Sequence, residues 1–357
     1  MTSYYNDTSI SAPSPSNPGK RRFWLYLTLV LLLAALAVFS LQLGNYHVPA
    51  EQTWKLFVSW LSGEASVPSP DYSSVVVLKL RLPRIIMVLL VGATLGMTGC
   101  VAQGLFRNPL VSPFILGISA GASFGAAFAI VFLSRIPFSL DVMASLGGFA
   151  AVFAAYMVAR RSGRGVPRLA LVLSGVIVSS FFSALVGILQ YIADAETQLP
   201  AITFWMLGGF GTIAWESLFP GIYVIPASLA LLLVFSWQLN ILSMGDGEAM
   251  SLGMNVERWK LLFVVLVVTA VGSSVSRSGI IGWVGLIVPH ISRAIVGPDH
   301  RHSLPVSGLL GAMLLLVADD LARTLTSGEI PIGIITALIG TPFFVFIMRT
   351  REKELWH

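Results

Sequence analysis

The sequence predicts an all-α polytopic membrane protein with about ten transmembrane helices. Of its 357 residues, 55% are hydrophobic and only 11% are charged, whereas soluble proteins carry about 25% charged residues. Apolar runs close to the ~20 residues that cross a bilayer as a helix recur along the whole chain. In such a protein the net charge of +5 indicates orientation in the lipid bilayer rather than affinity for nucleic acid.

The N-terminal segment is expected to precede the first span. Residues 1–20 are rich in Ser, Pro and Asn and are predicted to form a disordered cytoplasmic tail. Lys20, Arg21 and Arg22 then lead into a long apolar run without the small-residue cleavage site of a signal peptide, which favours a first membrane helix. Residues 21–357 are expected to form a single transmembrane domain. The ten apolar runs cover 23–43, 84–104, 113–133, 139–159, 168–192, 219–238, 260–276, 279–297, 304–325 and 331–349.

Two further segments are predicted to be helical without crossing the membrane. In AEQTWKLFVSWL, Trp54, Phe57 and Trp60 recur at helical spacing, which favours an amphipathic helix either at the outer interface or packed against the bundle. Residues 203–215 are typical of a short re-entrant or interfacial helix. Small residues recur within the long runs, as in GATLGMTGC and GISAGASFGAA, and indicate close helix packing.

Ten crossings place both termini on one side of the membrane, and the basic residues choose the side. Of the 22 Lys and Arg residues, 15 fall on the predicted inner side and the other 7 on the outer side. Because inner loops are enriched in basic residues, both termini are predicted to be cytoplasmic.

The polar segment 244–260, MGDGEAMSLGMNVERWK, separates two apolar runs and is named the elbow below. Gly245 precedes a predicted turn or two of helix, where Glu248 suits the positive N-terminal dipole. Gly253 is expected to end that helix, and Asn255 to start the next one. On the predicted cytoplasmic side, the elbow suits a soluble partner; an ordinary interhelical loop is the alternative.

No catalytic constellation is visible, so the chain is not predicted to be an enzyme. The HExxH metalloprotease pattern and the phosphate-binding GxxxxGK[ST] pattern are absent. Cys100 is the single cysteine, which excludes an intrachain disulfide and a cysteine metal cluster. We predict no catalytic residue and no metal site.

Asp319 and Asp320 are the clear carboxylates within an apolar run. Ion-driven transporters commonly carry such groups as proton or sodium sites. Arg323 lies at i+4 and i+3 from them, so pairing along one helix is favoured. His300 and His302 are expected on a solvated face. His290 is expected at a helix bend after Pro289, with a role on the substrate path as the alternative.

Several segments together resemble the FecCD family of ABC-importer permeases, which take up iron–siderophores, haem and vitamin B12. The segments keep their order over nearly the whole chain beyond residue 75, and their joint occurrence is far more specific than any single one. They are RLPR (81–84), QGLFRNPLVSPFILGISAGAS (103–123), WMLGG (205–209), SLGMNV (251–256), GIIGWVGLIVPHISR (279–293), DHR (299–301), LVADDLARTL (316–325) and EIPIGIITALIGTPFFVFIM (329–348).

The resemblance implies a type II ABC importer permease architecture with ten helices per subunit. The permease would pair with a second copy, with two ABC ATPase subunits on the cytoplasmic side and an extracytoplasmic substrate-binding protein on the other. This chain would bind no cofactor, since the ATPase uses ATP and Mg²⁺. The expected location is the cytoplasmic (inner) membrane of a prokaryote.

The resemblance also implies roles for individual residues. The residues in contact with the ATPase, which couple it to the permease, would be Glu248, Ala249, Ser251, Leu252 and Gly253. The residues that dock the binding protein would be Arg81, Arg84 and Arg323. Asn108 and Leu110 would form the cytoplasmic gate, and residues 168–192 would line part of the path. Asp320 beside Asp319 departs from the family pattern, and the docking role of Arg323 is in doubt if Asp320 neutralises it.

The predicted function is therefore import of an iron chelate, a ferric siderophore, by alternating access. Haem and vitamin B12 are the alternative cargoes. An ion-coupled secondary transporter with its site at Asp319 or Asp320 is the alternative class, followed by a membrane scaffold without transport. Homodimer or heterodimer pairing of the permease stays open.

Overall fold

The structure, a computed structural model, describes residues 18–63, 72–160, 168–218, 221–326 and 328–350. Within these ranges it is helical and contains no strand, which confirms the predicted all-α class. A π-helical stretch over Val75–Arg81 leads directly into α3. The helices are α1 Pro18–Ser40, α2 Ala50–Leu61, α3 Leu82–Phe106, α4 Ile118–Phe132, α5 Ser139–Ala159, α6 Arg168–Ile192, α7 Gln198–Leu207, α8 Gly221–Val234, α9 Ser236–Met244, α10 Asp246–Ser251, α11 Val256–Ser278, α12 Val284–Val296, α13 His300–Thr324 and α14 Ile332–Thr350.

The helices account for all ten predicted runs. Seven helical segments are long and apolar enough to cross a membrane: α1, α3, α5, α6, α11, α13 and the stretch Glu216–Val234 that contains α8. α4, α12 and α14 are shorter apolar helices. The runs 113–133 and 279–297 are not helical throughout, because glycines with left-handed backbone interrupt them. Gly117 has φ +83° before α4, and Gly279 has φ +64° before the loop that leads to α12.

The bundle has two distinct ends. α1 begins beside the start of α13, where Tyr26 Oη lies 3.1 Å from His302 Nδ1, and it ends where Ser40 Oγ donates to Asp320 near the end of α13. α9 is bonded to the start of α13, so the elbow lies at this first end, named the elbow end. The opposite end, where Arg81, Arg84 and Arg323 lie, is named the arginine end.

The described part of the chain begins and finishes at the elbow end. α14 starts at the arginine end, where Ile332 N donates to Gly208 O at 3.0 Å, and runs back across the bundle. The described termini therefore lie at one end, as an even number of crossings requires. Which side of the membrane this end faces stays a prediction.

α3 lies at the centre of the bundle and contacts its neighbours through glycines. A Cβ atom on Gly96 would lie 2.1 Å from Ser307 O of α13, and one on Gly99 would lie 2.0 Å from Gly285 O of α12. Only glycine permits such close backbone approach, which confirms the predicted packing through small residues.

The shorter predicted elements need adjustment. α2 forms as predicted, and its Trp60 ring stacks on Trp215 at 6.0 Å between centroids, so the helix packs on the bundle while Trp54 stays 54% exposed. The predicted helix over 203–215 is wrong in its bounds, because α7 begins at Gln198 and Gly208 ends it with φ +75°. The disordered tail is wrong for residues 18–20, which open α1; residues 1–17 lie outside the described ranges.

Candidate functional site

The elbow is a short helix between two turns, as the sequence predicts. α9 ends at Met244, and α10 follows after Gly245. Gly253 turns the chain after α10 with φ +79°, a conformation that strains residues with a side chain. Asn255 then caps α11, because its Oδ1 accepts from Arg258 N at 3.1 Å.

Four of the five predicted coupling residues are accessible. Glu248, Ser251, Leu252 and Gly253 are exposed, with Leu252 at 64%. Ala249 is the exception: it is fully buried, so its side chain faces the core of this chain and not a partner.

A second large apolar side chain lies beside Leu252 on the elbow. Met250 is 60% exposed and was not among the predicted coupling residues. Met244, the first residue of the elbow, is also 56% exposed. Three exposed apolar side chains on an otherwise polar segment are typical of a surface that another protein covers.

The elbow is tied to the helix that follows it. Lys260 Nζ lies 2.6 Å from Asp246 Oδ2, and Met254 N donates to Ala249 O at 3.0 Å. α10 is therefore fixed directly to the start of α11.

The helix before the elbow is bonded to the start of α13. Asn240 Oδ1 accepts from His300 N at 2.8 Å, and Asn240 Nδ2 donates to Asp299 Oδ1 at 2.7 Å. The Arg301 guanidinium lies 5.0 Å above the Trp237 ring and bonds Asp299 through Nε and Nη2. Those bonds, and the one from Asn240, hold the pKa of Asp299 below its usual range.

This arrangement corrects the predicted solvated face for His300, whereas His302 is half-exposed. His300 is only 5% exposed, and its Nδ1 lies 2.8 Å from Asn240 Oδ1. His302 bonds Arg22 of α1 at 2.8 Å. Both histidines therefore join helices at the elbow end.

The predicted gate residues lie where α3 ends, at the elbow end. Arg107 ends α3 in the left-handed conformation, with φ 52°. Asn108 Oδ1 accepts from Leu110 N at 2.9 Å and closes the next turn, which leaves Leu110 48% exposed. One turn earlier, Gln103 Oε1 accepts from Arg293 Nη2 of α12 at 2.5 Å.

The gate turn and the elbow meet at Gly245. A Cβ atom built there would lie 3.2 Å from Arg107 Nη1 and 1.9 Å from Glu248 Oε2. A side chain at this position would collide with Glu248 and crowd Arg107, so the glycine lets the two segments touch. The structure thus brings the predicted coupling and gate residues to one place.

The three predicted docking arginines are buried. Arg81, Arg84 and Arg323 are 5%, 8% and 4% exposed. Arg81 donates to Leu41 O at 2.8 Å and to Tyr46 O at 2.5 Å. In this conformation the guanidinium groups are held by the chain itself, so their docking role stays a prediction and requires these contacts to open.

Arg84 forms a buried ion pair with Asp319. Arg84 Nη2 lies 2.8 Å from Asp319 Oδ1, and Arg84 Nε lies 3.1 Å from both carboxylate oxygens. The Asp319 side chain is fully buried. On its other side, Arg84 Nη1 donates to Glu329 Oε1 at 2.7 Å, and the Glu329 side chain is 45% exposed.

Arg323 pairs along its own helix with Asp320, which confirms the favoured interpretation for Asp320. Asp319, in contrast, pairs mainly with Arg84 of α3. Arg323 Nη2 lies 2.5 Å from Asp320 Oδ1, and its Nε lies 3.7 Å from Asp319 Oδ2. Asp320 therefore does pair with Arg323, which is the condition that places the docking role of Arg323 in doubt. Both carboxylates are committed to arginines of this chain.

Three candidate functional residues were not predicted from the sequence: Asn240, Arg277 and Glu329. Asn240 gave a signal, because an amide in an apolar segment needs hydrogen-bond partners. Glu329 lies in the EIPIG segment but meets Arg84 only in the fold. Arg277 ends α11 at a cavity described below.

The described residues form neither a serine-nucleophile site nor a metal-binding cluster. Residues 117–121, GISAG, have the form GxSxG, but Ser119 lies within the first turn of α4 and not on a strand-to-helix elbow. Among the described residues, no group of three or more His, Cys, Asp or Glu side chains could hold a metal ion.

Comparison with known proteins gives consistent results. The sequence model of the FecCD transport family matches residues 31–350. The molybdate import system permease protein MolB of Haemophilus influenzae is 42% identical over 88% of this chain and 92% of its own length. The hemin transport system permease protein HmuU of Yersinia pestis is 36% identical over 91% of this chain and 96% of its own length. A solved inward-facing structure of a metal-chelate type ABC transporter superposes with a TM-score of 0.80 at 40% identity, covering 93% of this chain and 99% of the other.

Proposed function

Because the chain belongs to the FecCD transport family and is a permease of ABC importers, we propose that it carries an iron chelate into the cell. As a transport subunit it is not a catalytic enzyme.

The proposed assembly contains two copies of this chain, two ABC ATPase subunits at the elbow end and a substrate-binding protein at the arginine end. ATP and Mg²⁺ are used by the ATPase subunits, and this chain holds no cofactor. The assembly lies in the cytoplasmic membrane of a prokaryote, with the elbow in the cytoplasm. The excess of basic residues on that side supports this orientation.

The exposed elbow carries the proposal. Leu252 and Met250 present apolar surface outward, while Ala249 and the Lys260–Asp246 pair fix α10 to the bundle. Movement of α10 reaches α11 directly and reaches α13 through Asn240 of α9. Closure of the ATPase pair would in this way shift helices that line the path, which is alternating access.

Two cargo classes have specific support. An iron chelate is favoured by the similarity to the metal-chelate type transporter and to the hemin permease. Molybdate is the second candidate, because the molybdate permease is 42% identical to this chain.

Two glycines offer a matched test of the coupling role. Gly253 and Gly63 both have positive φ, +79° and +70°, and a Cβ atom at either position meets nothing within 4 Å. Gly253→Arg and Gly63→Arg therefore add the same side chain with similar backbone strain, one on the elbow and one after α2. Gly253→Arg is expected to abolish co-purification of the ATPase and stimulated ATP hydrolysis, while Gly63→Arg retains both. Equal behaviour of the two variants would contradict the coupling role.

A further inference from the structure

A cavity of about 540 Å³ lies at the arginine end of the chain. It is enclosed by the start of α3, the ends of α7 and α11, the start of α5 and the segment before α14. The charged side chains that line it are Arg84, Asp141, Arg277 and Glu329. Their formal charges cancel, so any ligand must be recognised by the position of hydrogen-bond donors and acceptors.

Arg277 provides donors that the described part of the chain does not use. The side chain is 3% exposed, and neither Nε nor Nη1 has a hydrogen-bond partner. Asp141 Oδ1 faces Nε at 3.7 Å, which is beyond hydrogen-bond distance. A buried guanidinium with unsatisfied N–H groups is costly unless an acceptor completes it.

Trp205 provides a further unused donor in the same cavity. Its Nε1 is buried and has no hydrogen-bond partner among the described residues. Two other lining side chains are already engaged, since Ser278 Oγ donates to Ser274 O at 3.0 Å and Arg84 is held by Asp319 and Glu329. The cavity therefore presents three buried nitrogen atoms whose N–H groups have no partner within the described ranges, two on Arg277 and one on Trp205.

We propose that Arg277 and Trp205 bind an anionic oxygen group of the cargo, either a free oxyanion or a carboxylate carried by a metal chelate. A guanidinium matches two oxygens of such a group, and the indole N–H can hold a third. The volume of about 540 Å³ lies in the usual range of small-molecule sites and accommodates a small oxyanion or one end of a chelate.

Asp141 makes such a site suitable for transport. It faces the Nε side of Arg277 and offsets its charge, so a bound anion is held by hydrogen bonds rather than by a net positive field. A site on a transport path must bind its cargo weakly enough to release it. This inference deepens the proposed importer function and rests on it.

The test measures direct anion binding by the purified permease, without the ATPase or the binding protein. The probes are molybdate and citrate, followed by titration calorimetry. Arg277→Gln is expected to weaken binding at least about tenfold, because a charged hydrogen-bond donor is lost. The matched control is Arg135→Gln, an exposed arginine between α4 and α5, which should bind as the wild type does.

A second variant covers the case in which Arg277→Gln does not fold. Trp205→Phe removes only the unpartnered N–H and keeps an aromatic ring, so thermal stability should be retained or raised while anion binding falls several-fold. Absence of anion binding by the wild type, or equal binding by both cavity variants and the control, would overturn the proposal.

An anionic oxygen group could also enter the cavity on an acidic side chain of the binding protein. The affinity of the permease for the binding protein is therefore measured separately. Suppose that neither anion binds and that Arg277→Gln weakens binding of the unloaded binding protein to the permease about tenfold. The anionic group then belongs to the binding protein, and its assignment to the cargo is wrong. None of these measurements needs ATP hydrolysis. If the wild type binds no anion while coupling to the ATPase is intact, only this inference is overturned. If the wild type binds the anion but the ATPase does not couple to the permease, only the importer function is overturned.

Discussion

Replacing Asp319 by Asn is expected to destabilise the arginine end strongly. The carboxylate is fully buried and accepts from Arg84 at 2.8 and 3.1 Å. Asn keeps the shape of the side chain but removes its charge. The Arg84 side chain, which is only 10% exposed, is then left with Glu329 as its remaining anionic partner.

The expected loss is about 3 kcal/mol in the free energy of unfolding. Removing one partner of a buried ion pair costs about 3–5 kcal/mol, and the retained Glu329 contact favours the lower end. Replacing both partners by uncharged side chains is far less costly, since no charge is then left buried. The double variant Arg84→Met, Asp319→Asn should therefore lose about 2–3 kcal/mol less than the sum of the two single variants.

The assay is denaturant unfolding in detergent micelles, with uptake measured on the same preparations. Glu51→Gln is the matched control, because Glu51 forms an ion pair of 2.6 Å with Lys55 on the surface of α2 and should barely matter. If Asp319→Asn lost no more stability than Glu51→Gln, the reasoning from burial would be refuted. A stable Asp319→Asn variant that had lost only ion-driven uptake would instead point to an ion site.

Three other outcomes follow from local geometry. Gly96→Ala should lose about 1–3 kcal/mol, because its Cβ would lie 2.1 Å from a carbonyl oxygen of α13, while Gly187→Ala, with open space around it, should gain up to about 1 kcal/mol in the same unfolding assay. Asn240→Ala should lower cargo uptake per ATP hydrolysed, since the link from α9 to α13 is lost; unchanged stoichiometry would contradict this. The bonds from Arg301 lower the pKa of Asp299, so the ionised Asp299 side chain contributes to stability above about pH 4, and this contribution is lost only below that pH. Thermal unfolding of the wild type and of Asp299→Asn, measured from about pH 7 to about pH 3, checks this.

Helices and turns were predictable where one segment carries the whole signal. The bounds of α5 and the end of α6 agree with their apolar runs, because both helices are predominantly apolar along their length. The elbow was predictable because glycines and a capping Asn punctuate a polar stretch, and the structure has Gly253 and Asn255 in those roles.

The site was predictable only in part, because its contacts join distant segments. Arg84 meets Asp319 and Glu329 across 235 and 245 residues of sequence, so an outward-facing docking arginine and a buried ion pair look the same in RLPR. Ala249 lies within a polar segment, yet one face of a six-residue helix must be buried, and Ala249 is on that face. No local pattern shows that the ends of α7 and α11 enclose a cavity.

The most direct test of the importer function uses the permease reconstituted in liposomes with its ATPase. ATP hydrolysis is measured with the binding protein unloaded and loaded in turn with ferric siderophore, haem, cobalamin and molybdate. We expect stimulation by one loaded form, a ferric chelate, and its loss in Gly253→Arg but not in Gly63→Arg. If no loaded form stimulates hydrolysis and the ATPase does not associate with the elbow, the proposed coupling and the importer function are both wrong.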